Sequence, residues 1–397
     1  MRMPNQGSVV GARGRSLTVA VLCSVLLAQP NPSAREQNNL GIERARQGKN
    51  AEAEKLFREA IRIDPAFTQA YLNLAQTLAA QGRFPEAEPV AQDAVRLAPA
   101  QASALTTLAM IQVRLGRSGE AITNFRKVIA LDQKSSEAHL NLGIAMADGL
   151  DMEGALGEFT EASRLAPKSP AALLNRGRAL YDLRRYEEAR AALESAAALS
   201  PGSAAIFYRL AMVEKQLDHP ARSLELLRKA AALDPKNADA QYQIGQNLAK
   251  SGQAAEAIAH WKKAVEINPE HGEALYNLLR ALHSSDPEEA KVYQERFTTL
   301  QQKRRISDRA ETLSNFALAS AAAQDTPHAI EQLTEALEVC GDCPSLAELH
   351  KNLGLIYARS GDLENGEREL RLAASVKRAE DPDVRRALEM IGRLRAR

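Results

Sequence analysis

The stretch "ADAQYQIGQNLAKSGQAAEAIAHWKKAVEINP", residues 238–269, decides the fold. Tyr242, Ile244 and Leu248 give its first half an apolar face at helical spacing, Gly252 stops that helix, and Ala257, Ile258, Trp261, Ala264 and Val265 give the second half another. Gly245 and Ala257 are small where two antiparallel helices would come closest. A bulky side chain there would overpack the contact by about 1–3 kcal/mol. Pro269 cannot continue a helix and disfavours helical backbone at Asn268, so the hairpin ends there.

This helix-turn-helix recurs. Prolines stand at 65, 99, 167, 201, 235 and 269 on a step of 34 residues, with Gln133 in the one position that lacks proline. The same phase carries small residues at Gly41, Ala75, Ala109, Gly143, Gly177, Ala211 and Gly245. A second row runs Ala53, Ala87, Ala121, Ala155, Ala189, Ser223, Ala257, and a third runs Ala60, Ala94, Val128, Ala162, Ala196, Ala230, Ala264. An ordinary chain of 397 residues would divide into two or three domains, but one with this period is a stack in which each unit buries its apolar faces on its neighbours. Ala, Leu, Glu, Arg and Gln dominate and aromatics are 4%, so the whole chain is expected to be all-α.

The small, small, small, proline pattern resembles the tetratricopeptide repeat family. The resemblance implies a right-handed solenoid of antiparallel helix pairs, about ten units, with a concave inner groove for protein or peptide partners. Regular units are expected over 35–305, starting near 34, 68, 102, 136, 170, 204, 238 and 272; two divergent units over 306–378; and a capping helix over 379–397. Unit eight has Leu279 at its close-contact position, and its second helix is expected to run long. Pro85 and Pro89 predict an irregular second helix in unit two.

The first 34 residues read differently. Arg2, Arg13 and Arg15 precede the apolar run "LTVAVLCSVLLA" (17–28) and a breaker-rich "QPNPSA", the pattern of a secretory signal peptide or an uncleaved anchor. The expected location is therefore outside the cytoplasm, a bacterial periplasm or the extracellular space. Without residues 1–34 the chain keeps 48 basic against 50 acidic residues, a balance that points away from nucleic acid.

Catalytic constellations are missing from the sequence. It has no phosphate loop, no H-E-x-x-H and no metal-spaced histidines, so the expectation is a non-enzyme with no cofactor and no small-molecule substrate. The exception to weigh is "EVCGDCPS" (338–345). Cys340 would end one helix and Cys343 would precede Pro344 and the next, the reverse of a catalytic dithiol, which needs its first cysteine at a helix N-terminus. A structural disulfide is the preferred reading; free thiols or a metal half-site, and a thiol-disulfide redox protein, are the alternatives.

Two residues before each small position stand Asn39, Asn73, Thr107, Asn141, Asn175, Arg209, Gln243 and Asn277, continued by Asn315 and Asn352. Asn is a mediocre helix-interior residue, so its recurrence implies another benefit. An amide both donates and accepts, which suits a peptide backbone. The row resembles the asparagine ladder of the superhelix of O-linked N-acetylglucosamine transferase, and it could equally bond neighbouring helices. One position earlier run Leu72, Thr106, Leu140, Leu174, Tyr208, Tyr242 and Tyr276, either an apolar strip beside the groove or packing between units. The lysines with which chaperone-binding members of the family grip a terminal carboxylate are missing from this row. The function expected is a scaffold holding an extended peptide or protein in the groove; a targeting or regulatory subunit of a separate enzyme is the other reading.

Overall fold

The computed structural model describes residues 30–376 and 381–395. Those residues form twenty helices and turns, without a strand. The first seven units are α1 (Pro32–Arg46) with α2 (Asn50–Ile63), α3 (Thr68–Ala80) with α4 (Phe84–Leu97), α5 (Ala102–Arg114) with α6 (Ser118–Leu131), α7 (Ser136–Asp148) with α8 (Met152–Leu165), α9 (Pro170–Asp182) with α10 (Tyr186–Leu199), α11 (Ala204–Gln216) with α12 (Pro220–Leu233), and α13 (Ala238–Lys250) with α14 (Ala254–Ile267). Then come α15 (Gly272–Leu282), the long α16 (Pro287–Ala322), α17 (Thr326–Cys340), α18 (Leu346–Ser360), α19 (Leu363–Val376) and α20 (Pro382–Arg395).

The three small rows lie where helices meet. A Cβ on Gly41 would come within 2.6 Å of the Phe57 ring, and one on Gly143 within 2.6 Å of Phe159. Ala53, Ala87, Ala121, Ala155, Ala189 and Ala257 are fully buried against the partner helix. In each of the first seven units the turn between the paired helices has one left-handed residue. Gly48, Gly82, Gly116 and Gly252 supply it, while Leu150, Arg184 and Asp218 hold the same conformation at φ of 65°, 60° and 60°.

A continuous core runs from Ala109 to Leu300, and the C-terminal units have their own, from Ala310 to Ile356. Between them α16 crosses as an unbroken helix of 36 residues whose residues 301–305 are exposed. The boundary expected at 305/306 therefore falls inside a helix. No Gly or Pro interrupts the chain between Pro287 and Pro327, so nothing stops α16 where the repeat phase is lost. Its first half packs on α15 and its second on α17, completing units eight and nine, with α18 and α19 as the tenth. The end of the stack is covered by α20, through Val384, Ala387 and Ile391 against Leu370 and Ala373.

Two other expectations are corrected. The leader was to end at 34, but α1 begins at Pro32, Ala34 is fully buried, and Asn31 caps the helix by accepting from the Ser33 N–H at 2.9 Å. The breaker-rich look of this segment is a helix start. Residues 1–29, the rest of the segment expected to be a leader or anchor, lie outside the described residues. Pro85 and Pro89 leave α4 continuous, with Pro85 in the first turn, where no helical N–H is lost.

Ion pairs tie successive units together. The Arg83 guanidinium donates to Glu54 on α2 and to Glu86 on α4, both at 2.6 Å, and Arg117 repeats the tie to Glu88 one unit on, at 2.7 Å. Arg385 of α20 also donates to Glu86, at 3.1 Å, which brings the end of the stack back to unit two.

Candidate functional site

The ladder residues lie on the first helix of each unit, and helical spacing of three and seven puts two further residues on the same face. Thr107 is followed by Met110 and Arg114, Asn141 by Ile144 and Asp148, Asn175 by Arg178 and Asp182, Gln243 by Gln246 and Lys250. This face is the inner groove. A cavity of about 840 Å³ on it is walled by Gln76, Thr107, Met110, Val113, Arg114, Asn141, Ile144 and Asp148 from α3, α5 and α7, with Phe84 and Phe125 also lining it. Met110 is 53% exposed, an apolar side chain presented to the groove, and Arg114 lies over the Phe84 ring at 5.2 Å. A second cavity, about 200 Å³, shares Ile144 and Asp148 and continues past Asn175, Arg178 and Asp182.

The ladder divides into two kinds of position. Asn73 Nδ2 donates to the buried Asn38 at 2.8 Å, Thr107 accepts from Gln76 at 3.3 Å, Gln243 accepts from Lys215 Nζ at 2.8 Å, and Asn277 donates to the Tyr242 hydroxyl at 3.5 Å. Asn352 donates to Ser314. These side chains bond neighbouring helices, each tie stabilising by about 0.5–1.5 kcal/mol. Asn141 makes no side-chain hydrogen bond to the described residues, and Asn175 uses only its Nδ2, donating to the Ala171 carbonyl one turn back at 2.9 Å. Both face cavities. Asn39 is exposed and stands apart in a shallow hollow with Pro32, Arg35 and Glu43.

The apolar strip expected beside the ladder is mostly packing. Leu72 is buried against Ala94 and Ala104, and Leu140, Leu174, Tyr208 and Tyr242 are half-buried against the core, because this phase points at the unit's own second helix and the next unit. Only its last member opens out. Tyr276 is 44% exposed and, with Tyr242, Asn277, Phe297, Gln301 and Arg304, walls a cavity of about 510 Å³ where α15 meets α16.

Met110, Ile144, Arg114 and Asp148 were not singled out in the sequence. Projecting the ladder phase forward by three and seven residues would have found them.

Cys340 and Cys343 are paired, Cα atoms 5.0 Å apart, and both are buried in the core of the C-terminal units. Among the described residues no group of His, Cys, Asp or Glu could hold a metal ion, and no helix is long and apolar enough to cross a membrane. Several histidines are ties between paired helices, as His139 to Glu158 at 2.6 Å and His350 to Glu369 at 2.7 Å.

A stack of helix pairs with an inner groove defines a class, the helical-repeat interaction scaffold. Family models described as tetratricopeptide repeat match residues 38–102, 106–170, 147–204, 204–237 and 238–271, so the chain belongs to the tetratricopeptide repeat family. Among solved structures, a tetratricopeptide repeat protein from Parabacteroides merdae is similar at 17% identity, covering 64% of this chain and 100% of its own, with a TM-score of 0.52. The C-terminal part of a repeat protein from Cytophaga hutchinsonii is similar at 15% identity over 62% of this chain and 99% of its own, TM-score 0.49. YrrB, described as a TPR protein with an unusual peptide-binding site, is similar at 24% identity over 45% of this chain and 92% of its own, TM-score 0.39. No curated protein matches the sequence.

Proposed function

We propose that this protein is a non-catalytic scaffold of the bacterial cell envelope that holds an extended segment of a partner protein in the groove of units two to five. The observation that carries the reading is the cavity that Asn141, without a side-chain hydrogen bond to the described residues, lines together with Met110 and Ile144. An apolar side chain of the ligand fills the space beside Met110, and its backbone is met by Asn141 and by the Oδ1 of Asn175. First helices of adjacent units lie about 10 Å apart and an extended chain rises about 3.3 Å per residue, so one amide meets every third residue or so. Such a contact reads backbone more than sequence.

The test is photo-crosslinking in the native cell, with the crosslinking residue placed at Met110 or, as a control, at the exposed Arg126 of α6. Partners captured at 110, absent at 126, and lost in Asn141→Ala/Asn175→Ala support the reading. Equal capture at both positions sinks it. If the captured partner is an enzyme, the chain is its targeting subunit.

Export rests on the arginines and the apolar run 17–28 of the N-terminal segment read as a leader or anchor, and the Cys340–Cys343 bridge is read with it as a structural clasp of an oxidising compartment. Burial of both sulfurs keeps a substrate thiol away. Alkylation of the native protein before and after reduction separates the cases: label taken up without reductant ends the clasp reading.

A further inference from the structure

The inner face changes character along the stack. In units three and four Met110, Val113 and Ile144 give it an apolar patch, with Arg114 laid over the Phe84 ring beside it. Asp148, Asp182 and Arg178 follow. Over units six to eight the face carries Arg209 at the ladder position itself, Lys250 seven residues after Gln243, and Arg280 three after Asn277. Lys215 reaches across from α11 to Gln243, and Arg304 of α16 overhangs the start of α15, its guanidinium facing Gly272. None of these five cations is in an ion pair with a described residue, in a protein whose formal net charge is only +1. Lys215 is the most telling. It is half-buried, its one partner is the neutral Gln243, and burial first, then the nearby Lys250, hold its pKa below the ordinary lysine value. A half-buried ammonium facing another cation raises the energy of the free protein, and an anion in the groove would relieve it. Two acids of this stretch, Asp239 and Glu273, each lie 3.3 Å from a ring nitrogen of His271, and Glu273 also lines the hollow that holds Arg304.

Resting on the groove reading above, we infer that the ligand is a two-part peptide, with an apolar anchor at Met110 and Ile144 and a run of aspartate or glutamate over units six to eight. Three units of about 10 Å separate the two regions, so the acids follow or precede the anchor by about nine residues of extended chain. The stretch between them passes Asp148, Arg178 and Asp182, a net negative set that disfavours a run of acids there. A single-stranded nucleic acid would also be drawn to cations, but it has no use for the apolar cavity and would meet those two aspartates. An acidic peptide fits both regions.

The experiment is selection from a displayed library of random 16-residue peptides against the full chain, followed by fluorescence anisotropy of the selected peptide. Acids are expected in the sequences about nine positions from an apolar residue, and their replacement by Asn and Gln should weaken binding on the order of tenfold. Lys250→Glu, at an exposed residue with no ion-pair partner among the described residues, should weaken binding by a similar factor while Arg126→Glu leaves it unchanged, with melting curves confirming that both variants fold. Selected peptides without acids, or an amide version that binds as well, overturn the inference and leave the groove reading standing. No selected peptide, or none weakened by Met110→Glu, overturns both. Displacement of the peptide by an equal concentration of a labelled 16-nucleotide single strand assigns the cations to nucleic acid instead.

Discussion

Gly245 lies against the edge of Trp261: a Cβ built on the glycine would stand 2.5 Å from the indole Nε1, 2.6 Å from Cδ1 and 3.0 Å from the Ala257 carbonyl. The two helices of unit seven touch through the space that this missing methyl leaves. Gly245→Ala must therefore push the indole or spread the pair, and it should cost about 1–3 kcal/mol in urea unfolding. Trp261→Leu shortens the side chain at the contact and should absorb most of that cost. If Gly245→Ala is equally harmful in the Trp261→Leu background, the contact is not what excludes the methyl.

Much of this was legible in the sequence because the constraint is local and repeated. The rows through Gly245, Ala257 and Ala264 each mark a helix contact, and the starts of all eight regular first helices fall within two residues of the positions read from the prolines. What escaped was not periodic. The course of α16 depends on the absence of a stop signal, and the caps at Asn31 and Pro32 look like a loop until the buried Ala34 is seen. The candidate site was half legible. The ladder phase located the groove, but which amides are spent on neighbours depends on what the adjacent unit offers: Asn38 bonds Asn73, while no described residue bonds the Asn141 side chain.

That difference separates two mutations of one residue type at one phase. Asn73→Ala removes the donor to Asn38, which is 3% exposed, and leaves a buried acceptor unpaired, at a cost of about 1–3 kcal/mol. Asn141→Ala removes no bond to the described residues and should change stability by no more than about 0.5 kcal/mol. Thermal melts of the two variants side by side decide it. Equal losses would mean that Asn141 is also structural, and the groove would lose its free amide.

The left-handed turn offers the opposite kind of change, one that stabilises. Leu150 holds φ at 65° and is 88% exposed, in the place that Gly48, Gly82, Gly116 and Gly252 fill elsewhere. Side chains pay about 1–2 kcal/mol for this conformation, part of which glycine returns as extra freedom in the unfolded chain. Leu150→Gly should therefore raise the stability of the array by up to about 1 kcal/mol without touching the core. A lower melting temperature would show that Leu150 makes a contribution its exposure conceals.

Acid should weaken the first units through the cluster around Arg83. The Arg83 hydrogen bond holds the Glu86 carboxyl below its usual range against the opposing effect of burial, with Arg385 adding to it. For Glu54, burial acts first and upward, but the bonds from Arg83 and Arg58 outweigh it and the pKa is again lowered. A carboxylate whose folded pKa is depressed stabilises the fold above its unfolded pKa, about 4.3 for Glu, and that stability is lost as pH falls through the lower folded value. Unfolding midpoints measured between neutral pH and pH 3 should drop below about pH 4 in the wild type. Arg83→Gln should be less stable at neutral pH and should show a shallower drop, because its glutamates titrate nearer the unfolded value. Arg385→Gln should flatten the drop only slightly, since Arg83 still holds Glu86. A wild-type slope as shallow as that of Arg83→Gln would mean that the cluster is solvated and ties nothing together.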